Sequence, residues 1–141
     1  MQQRERLREI GIHDLETFLA ASPFNPDMDK IIIRLADLNY EQAQKDYGLA
    51  MDKFNSSCCE DENTPKTFGD SLAPQPELDY SRSLELYQRI INEYPQSVYV
   101  DDAIYNKGFL LEELGELEEA TDNYKLLVTT YPDSAFTPDA L

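Results

Sequence analysis

The chain has 141 residues, enough for one continuous core and too few for two. Its 28 Asp and Glu against 12 Lys and Arg give a formal net charge of −16, and a surface of that sign repels phosphate backbones and anionic headgroups, which argues against nucleic-acid binding and electrostatic membrane attachment. No window approaches the roughly 18 uncharged apolar residues of a membrane-spanning helix, so no direct membrane insertion is expected.

Apolar periodicity predicts helices at about 3–21, 26–54, 79–94, 98–114 and 117–131, and no strand. The opening MQQRERLREI is charged and amphipathic with no apolar secretory stretch behind it, so an exported protein would need a leader outside this sequence. His13, the only histidine, falls on the first helix beside Asp14, with no second ligand or nucleophile in view. It reads as a surface or partly packed residue, because acid–base work needs a placed partner. The second helix carries IIIRLADLNYEQAQKDYGLAM and is long enough to break near Gly48.

Residues 55–78 hold three prolines, a glycine and scattered acids, which predicts a loop. Cys58 and Cys59 are adjacent there; such a pair could close a strained ring disulfide, bind a soft metal or do nothing, and the absence of C-x-x-C spacing or a third cysteine favours the last. Glu60, Asp61 and Glu62 lack the alternating oxygen spacing of a calcium loop and read as a solvated charge run. No glycine-rich phosphate loop, Ser-His-Asp set or metal set is present, so no enzyme activity, metal or cofactor is expected.

The last predicted helix and the residues after it repeat an earlier stretch. YPQSVYVDDAI at 94–104 returns as YPDSAFTPDAL at 131–141, an offset of 37 that also pairs Ser83 with Ala120, Tyr87 with Tyr124, Ile90 with Leu127 and Ile91 with Val128. A weaker copy has Gly11, Leu15, Phe18, Leu19 and Pro23 at the spacing of Ala120, Tyr124, Leu127, Val128 and Pro132. A fixed period of this size marks stacked helical units. Pro23 and Pro95 are 72 apart, which fits one unit enlarged by roughly 35 residues better than two regular units. One domain over 1–141 follows: 3–23 as the second helix of a degenerate repeat, 26–54 a long helix, 55–78 the acidic loop, 79–97 a second helix, 98–134 the best-formed repeat, and 135–141 the start of another. The break inside that last unit, with Pro138 at its opening turn, leads to the expectation of a longer array whose edge at 117–131 pairs end to end.

Residues 103–134, AIYNKGFLLEELGELEEATDNYKLLVTTYPDS, resemble the tetratricopeptide repeat. Gly108, Ala120, Tyr124 and Pro132 carry the signature, Ile104 and Leu111 the apolar positions of the first helix, and LGELEEA the turn. Lys107 departs from it where the family favours Leu; its ammonium is expected to tilt outward. The resemblance implies an all-α fold of antiparallel helix-turn-helix repeats stacked as a right-handed solenoid. The Tyr-Pro-x-Ser ending and the 37-residue period look like repeats of bacterial envelope proteins, the outer-membrane-assembly lipoproteins and Tol-Pal coordinators, which would place the chain in the periplasm or cell envelope.

By the same resemblance the first helices line a concave groove. The residues projecting into it would be Asp102, Tyr105, Asn106, Phe109, Glu112 and Glu113, and, with Ala36 anchored on Gly108, also Ile33, Asp37 and Tyr40. Aromatic anchors beside acids suit a basic or neutral protein partner, a peptide or helix. The Lys and Arg of the family's carboxylate clamp are missing from these positions. Three readings stand open: a non-catalytic interaction scaffold, a redox or metal-responsive module centred on Cys58 and Cys59, and a structural spacer within a longer protein. Tyr105 and Phe109 could equally pack against a neighbouring helix.

Overall fold

The computed structural model describes residues 2–22, 24–58 and 74–137. Five helices follow one another, α1 (Gln2–Ala21), α2 (Met28–Cys58), α3 (Ser81–Glu93), α4 (Val100–Glu113) and α5 (Leu117–Thr130), and among the described residues there is no strand. Each helix packs chiefly on its neighbours in sequence, the pattern of a solenoid. Contrary to expectation, α2 continues unbroken through Gly48 and four residues beyond 54.

The core follows the helical stripes. Ser83, Leu86, Tyr87 and Ile90 bury one face of α3, while Val100, Ala103, Ile104, Gly108, Leu110 and Leu111 are buried in α4. In α2 the buried residues run from Met28 to Leu38, and none follows between Asn39 and Ser56. α1 buries no residue fully; it is tied to α3 by a fork in which Arg82 Nε and Nη2 donate to the two carboxylate oxygens of Glu16, at 2.9 and 2.7 Å.

One turn recurs three times. After α3, the Tyr94 N–H reaches Ile90 O at 3.0 Å and Val100 N reaches Ser97 O at 3.4 Å, while Ser97 Oγ accepts from Tyr99 N at 3.1 Å. After α5 the same bonds run from Tyr131 to Leu127, from Thr137 to Ser134 and from Phe136 to Ser134 Oγ. After α1 they run from Ser22 to Phe18, from Met28 to Asn25 and from Asp27 to Asn25 Oδ1. Asn25 thus stands where the later turns have serine, an Asx turn replacing a Ser turn.

The two serines also close their units. Ser97 Oγ donates to Asp29 in the first turn of α2 at 2.5 Å, and Ser134 Oγ donates to Asp101 in the first turn of α4 at 2.7 Å. The sequence separations are 68 and 33. α2 and α3 therefore form one unit enlarged by 35 residues, and α4 and α5 form a regular one. Within the regular unit Gly115 at φ 81° makes the turn: Glu116 N reaches back to Leu111 O and Gly115 N to Glu112 O, a Schellman motif that satisfies the last carbonyls of α4. Gly108 lets the helices close up, since a Cβ there would lie 2.8 Å from the Tyr124 ring. In the enlarged unit Ala36 and Ser83 hold the places of Gly108 and Ala120, and Ser83 Oγ donates to Ala36 O at 2.9 Å.

Candidate functional site

The face shared by α2 and α4 carries most of the expected contact residues. Tyr40 on α2 meets Phe109 on α4 edge to face, with centroids 6.5 Å apart, and lies 5.3 Å from Tyr80. Phe109 is 37 % exposed despite this contact. Further along α4, Tyr105 stacks on Phe136 at 5.1 Å and leans on Tyr124 at 6.0 Å. Tyr105 is thus partly packed against the segment after α5, while Phe109 keeps an open side.

Ile33 differs from the sequence expectation. It is 6 % exposed and belongs to the core, because the first turns of α2 are covered on that side by the rest of the array. Lys107 also behaves differently: its Nζ donates to Gln88 Oε1 at 2.6 Å, which links α4 to α3.

Tyrosine hydroxyls hold the acids of this face. Asp37 accepts from the Tyr87 hydroxyl at 2.7 Å, Glu112 from Tyr124 at 2.9 Å and Glu113 from Tyr80 at 2.5 Å. Asn106 Nδ2 donates to Asp102 Oδ1 at 2.5 Å. Each carboxylate keeps lone pairs for a further donor. Burial pushes the carboxyl of Asp37 above its ordinary value, opposed by the Tyr87 hydrogen bond and the Arg34 charge. Burial likewise raises Asp102, and the negative charge of Asp37 adds to it. Burial and the facing carboxylates raise the hydroxyls of Tyr80, Tyr87 and Tyr124 as well, so these remain donors.

Tyr80, Tyr87, Tyr124 and Phe136 support this face although the groove pattern read from the sequence does not include them. Tyr87 and Tyr124 carried a signal, the shared repeat position, but the carboxylate each one orients lies on another helix. Tyr80 immediately precedes α3, is 2 % exposed and continues the buried stripe of Ser83, Tyr87 and Ile90; the carboxylate it binds, Glu113, likewise lies on another helix.

The remaining candidates lie elsewhere. His13 is exposed on α1. Cys58 is the last residue of α2, whereas Cys59, the acidic run 60–62, Pro23 and Pro138 lie outside the described residues. No group of three or more His, Cys, Asp or Glu is placed to hold a metal among the described residues. No helix there is long and apolar enough to cross a membrane.

The chain matches the tetratricopeptide repeat family over residues 75–97 and 102–134. The first match covers α3 with its closing turn, and the second covers α4 from its third residue, the Gly115 turn, α5 and the turn after it. Comparison with curated proteins and with solved structures gives no significant match. Five helices packed in chain order among the described residues, with the family pattern on α3 and on most of the α4–α5 pair, make the fold an all-α, tetratricopeptide-like solenoid.

Proposed function

We propose that the chain is a non-catalytic protein-interaction scaffold whose α2–α4 face binds a basic or neutral peptide or helix of a partner protein. Tetratricopeptide repeats are commonly protein-interaction modules and generally lack catalysis of their own. The observation that carries the reading is Phe109, an exposed aromatic ring held against Tyr40, with Glu112 and Glu113 one turn along α4 and Asp37 one turn from Tyr40 on α2. An aromatic anchor among acids recognises a cationic or amide-rich segment and disfavours an acidic one. Asn106 and Tyr105 extend the same face; Ile33 supports it from the core.

A display library of basic, neutral and acidic peptides tests this directly. Enrichment of basic or neutral peptides, with affinity reduced at least about tenfold by Phe109→Ala together with Tyr105→Ala in a protein of unchanged circular dichroism, is the expected result. Unchanged affinity, or enrichment of acidic peptides alone, counts against it.

Two finer readings belong to the same proposal. The Tyr-Pro-x-Ser turns and the 37-residue period support a role in a bacterial envelope assembly by their resemblance to repeats of that kind. Leu117 and Leu126, exposed on α5, support association through the terminal helices, which concentration-dependent sedimentation would reveal.

A further inference from the structure

The α1–α2 pair is related to α3–α4 by one shift of 72 residues, which carries Arg8 onto Tyr80, Gly11 onto Ser83, Leu15 onto Tyr87 and Glu41 onto Glu113. The contacts agree: Arg8 Nε donates to Glu41 Oε2 at 3.2 Å, where the Tyr80 hydroxyl donates to Glu113 Oε2 at 2.5 Å. In the later pair α2 lies over these positions. Ala36 O accepts from Ser83, Asp37 accepts from Tyr87, and the Tyr40 ring covers Tyr80. In the earlier pair the matching space is an open cleft of about 1040 Å³ with Leu7, Gly11, Leu15 and Leu38 among its lining.

This cleft has a charge opposite to the rest of the molecule. Arg4, Arg8, Arg34 and Lys45 line it against two acids, Asp14 and Glu41, in a chain of net charge −16. Lys45 is paired with Glu5 at 2.7 Å, and Glu41 already takes Arg8 Nε. The Arg8 side chain is only 14 % exposed, and its Nη1 is buried without a hydrogen-bond partner among the described residues. A buried guanidinium N–H without an acceptor is costly, and a carboxylate supplies the strongest one.

We propose that the α1–α2 cleft docks an acid-bearing amphipathic helix of a partner protein, lying as α2 lies on α3 and α4. The internal copy sets the register. A small residue faces Gly11, as Ala36 faces Ser83. The next residue is apolar, because Leu15 offers no hydroxyl where Tyr87 offers one to Asp37. Four residues after the small one comes Asp or Glu, in the place of Tyr40, reaching Arg8. An Asp seven before the small residue, the place of Asp29, meets the side-chain amide of Asn25, which stands in for Ser97. The helix α4 carries this register itself, at Asp101, Gly108, Phe109 and Glu112, and so supplies a probe.

A fluorescein-labelled peptide of residues 100–114, titrated into the full chain and followed by fluorescence polarisation, tests the proposal. Saturable binding is expected, weakened about tenfold or more by Arg8→Met, by the exposed change Arg34→Glu, and by Glu112→Gln in the peptide. Tyr105→Ala with Phe109→Ala in the protein leaves it unchanged, which separates this cleft from the α2–α4 face. No saturable binding, or binding indifferent to all three charge changes, overturns the proposal. So does binding abolished by the Tyr105 and Phe109 changes, or a dimer dissolved by Arg34→Glu, since the cleft would then belong to a second copy.

Discussion

Gly108 shows how one atom sets the spacing of a repeat. A methyl there meets the Tyr124 ring at 2.8 Å, so the ring must move while its hydroxyl is held by Glu112. Gly108→Ala is expected to destabilise by about 1–3 kcal/mol, more than any gain in helix propensity returns; a urea midpoint at or above that of the parent would contradict this. Asp102 acts through charge. Its carboxyl is raised by burial and then by Asp37, so the folded chain binds that proton more readily than the unfolded one. Stability therefore falls as pH rises from the ordinary value of 3.8 through the raised one, and levels off above it. Asp102→Asn keeps an acceptor for Asn106 and removes the charge. The expected outcome is a higher melting temperature at pH 7 and a shallower slope above pH 3.8, read from melts across that range; an unaltered slope would exclude Asp102 as its source.

At the scale of elements, the Asp–Ser bond closes each unit and makes the enlarged one equivalent to the regular one. In a double-mutant cycle, Asp29→Ala and Ser97→Ala are expected to couple by about 1 kcal/mol, as are Asp101→Ala and Ser134→Ala, because each bond is partly buried and charge-assisted. Coupling in the regular unit alone would mean that the inserted residues loosen the other. α1, which buries no residue, is expected to exchange its amide hydrogens faster than α3 and α4. Much of this was legible beforehand. The 37-residue offset and the helix-stopping prolines mark the second helices and their turns, and Gly108, Ala120 and Tyr124 mark the close approach. The pairing of Asp29 with Ser97 was hidden, because 68 residues separate them and only the packed unit brings them together. Ile33 was misjudged because alignment on α4 fixes which side of a helix a residue occupies but not what covers it. The support that Tyr80 gives Glu113 was hidden in the same way: the helical period marks Tyr80 as buried, but only α3–α4 packing brings its hydroxyl to a carboxylate 33 residues on.

The whole molecule presents two surfaces of opposite character. The α2–α4 face carries Phe109 and Tyr40 among carboxylates braced by tyrosine hydroxyls, while the α1–α2 cleft gathers four of the 12 basic residues. On the two bindings proposed above, such a division would let one array hold two segments of different charge without competition, since each surface would repel the other's ligand. The net charge of −16 makes association at the acidic face faster at low salt and screened at high salt. The most direct measurement is a nuclear magnetic resonance titration of the labelled chain with the tightest peptide from the basic and neutral library. Shifts centred on Tyr40, Asp102, Tyr105 and Phe109 are the result this account predicts. Shifts confined to α1 or to the outer side of α5, with the α2–α4 face silent, would contradict it.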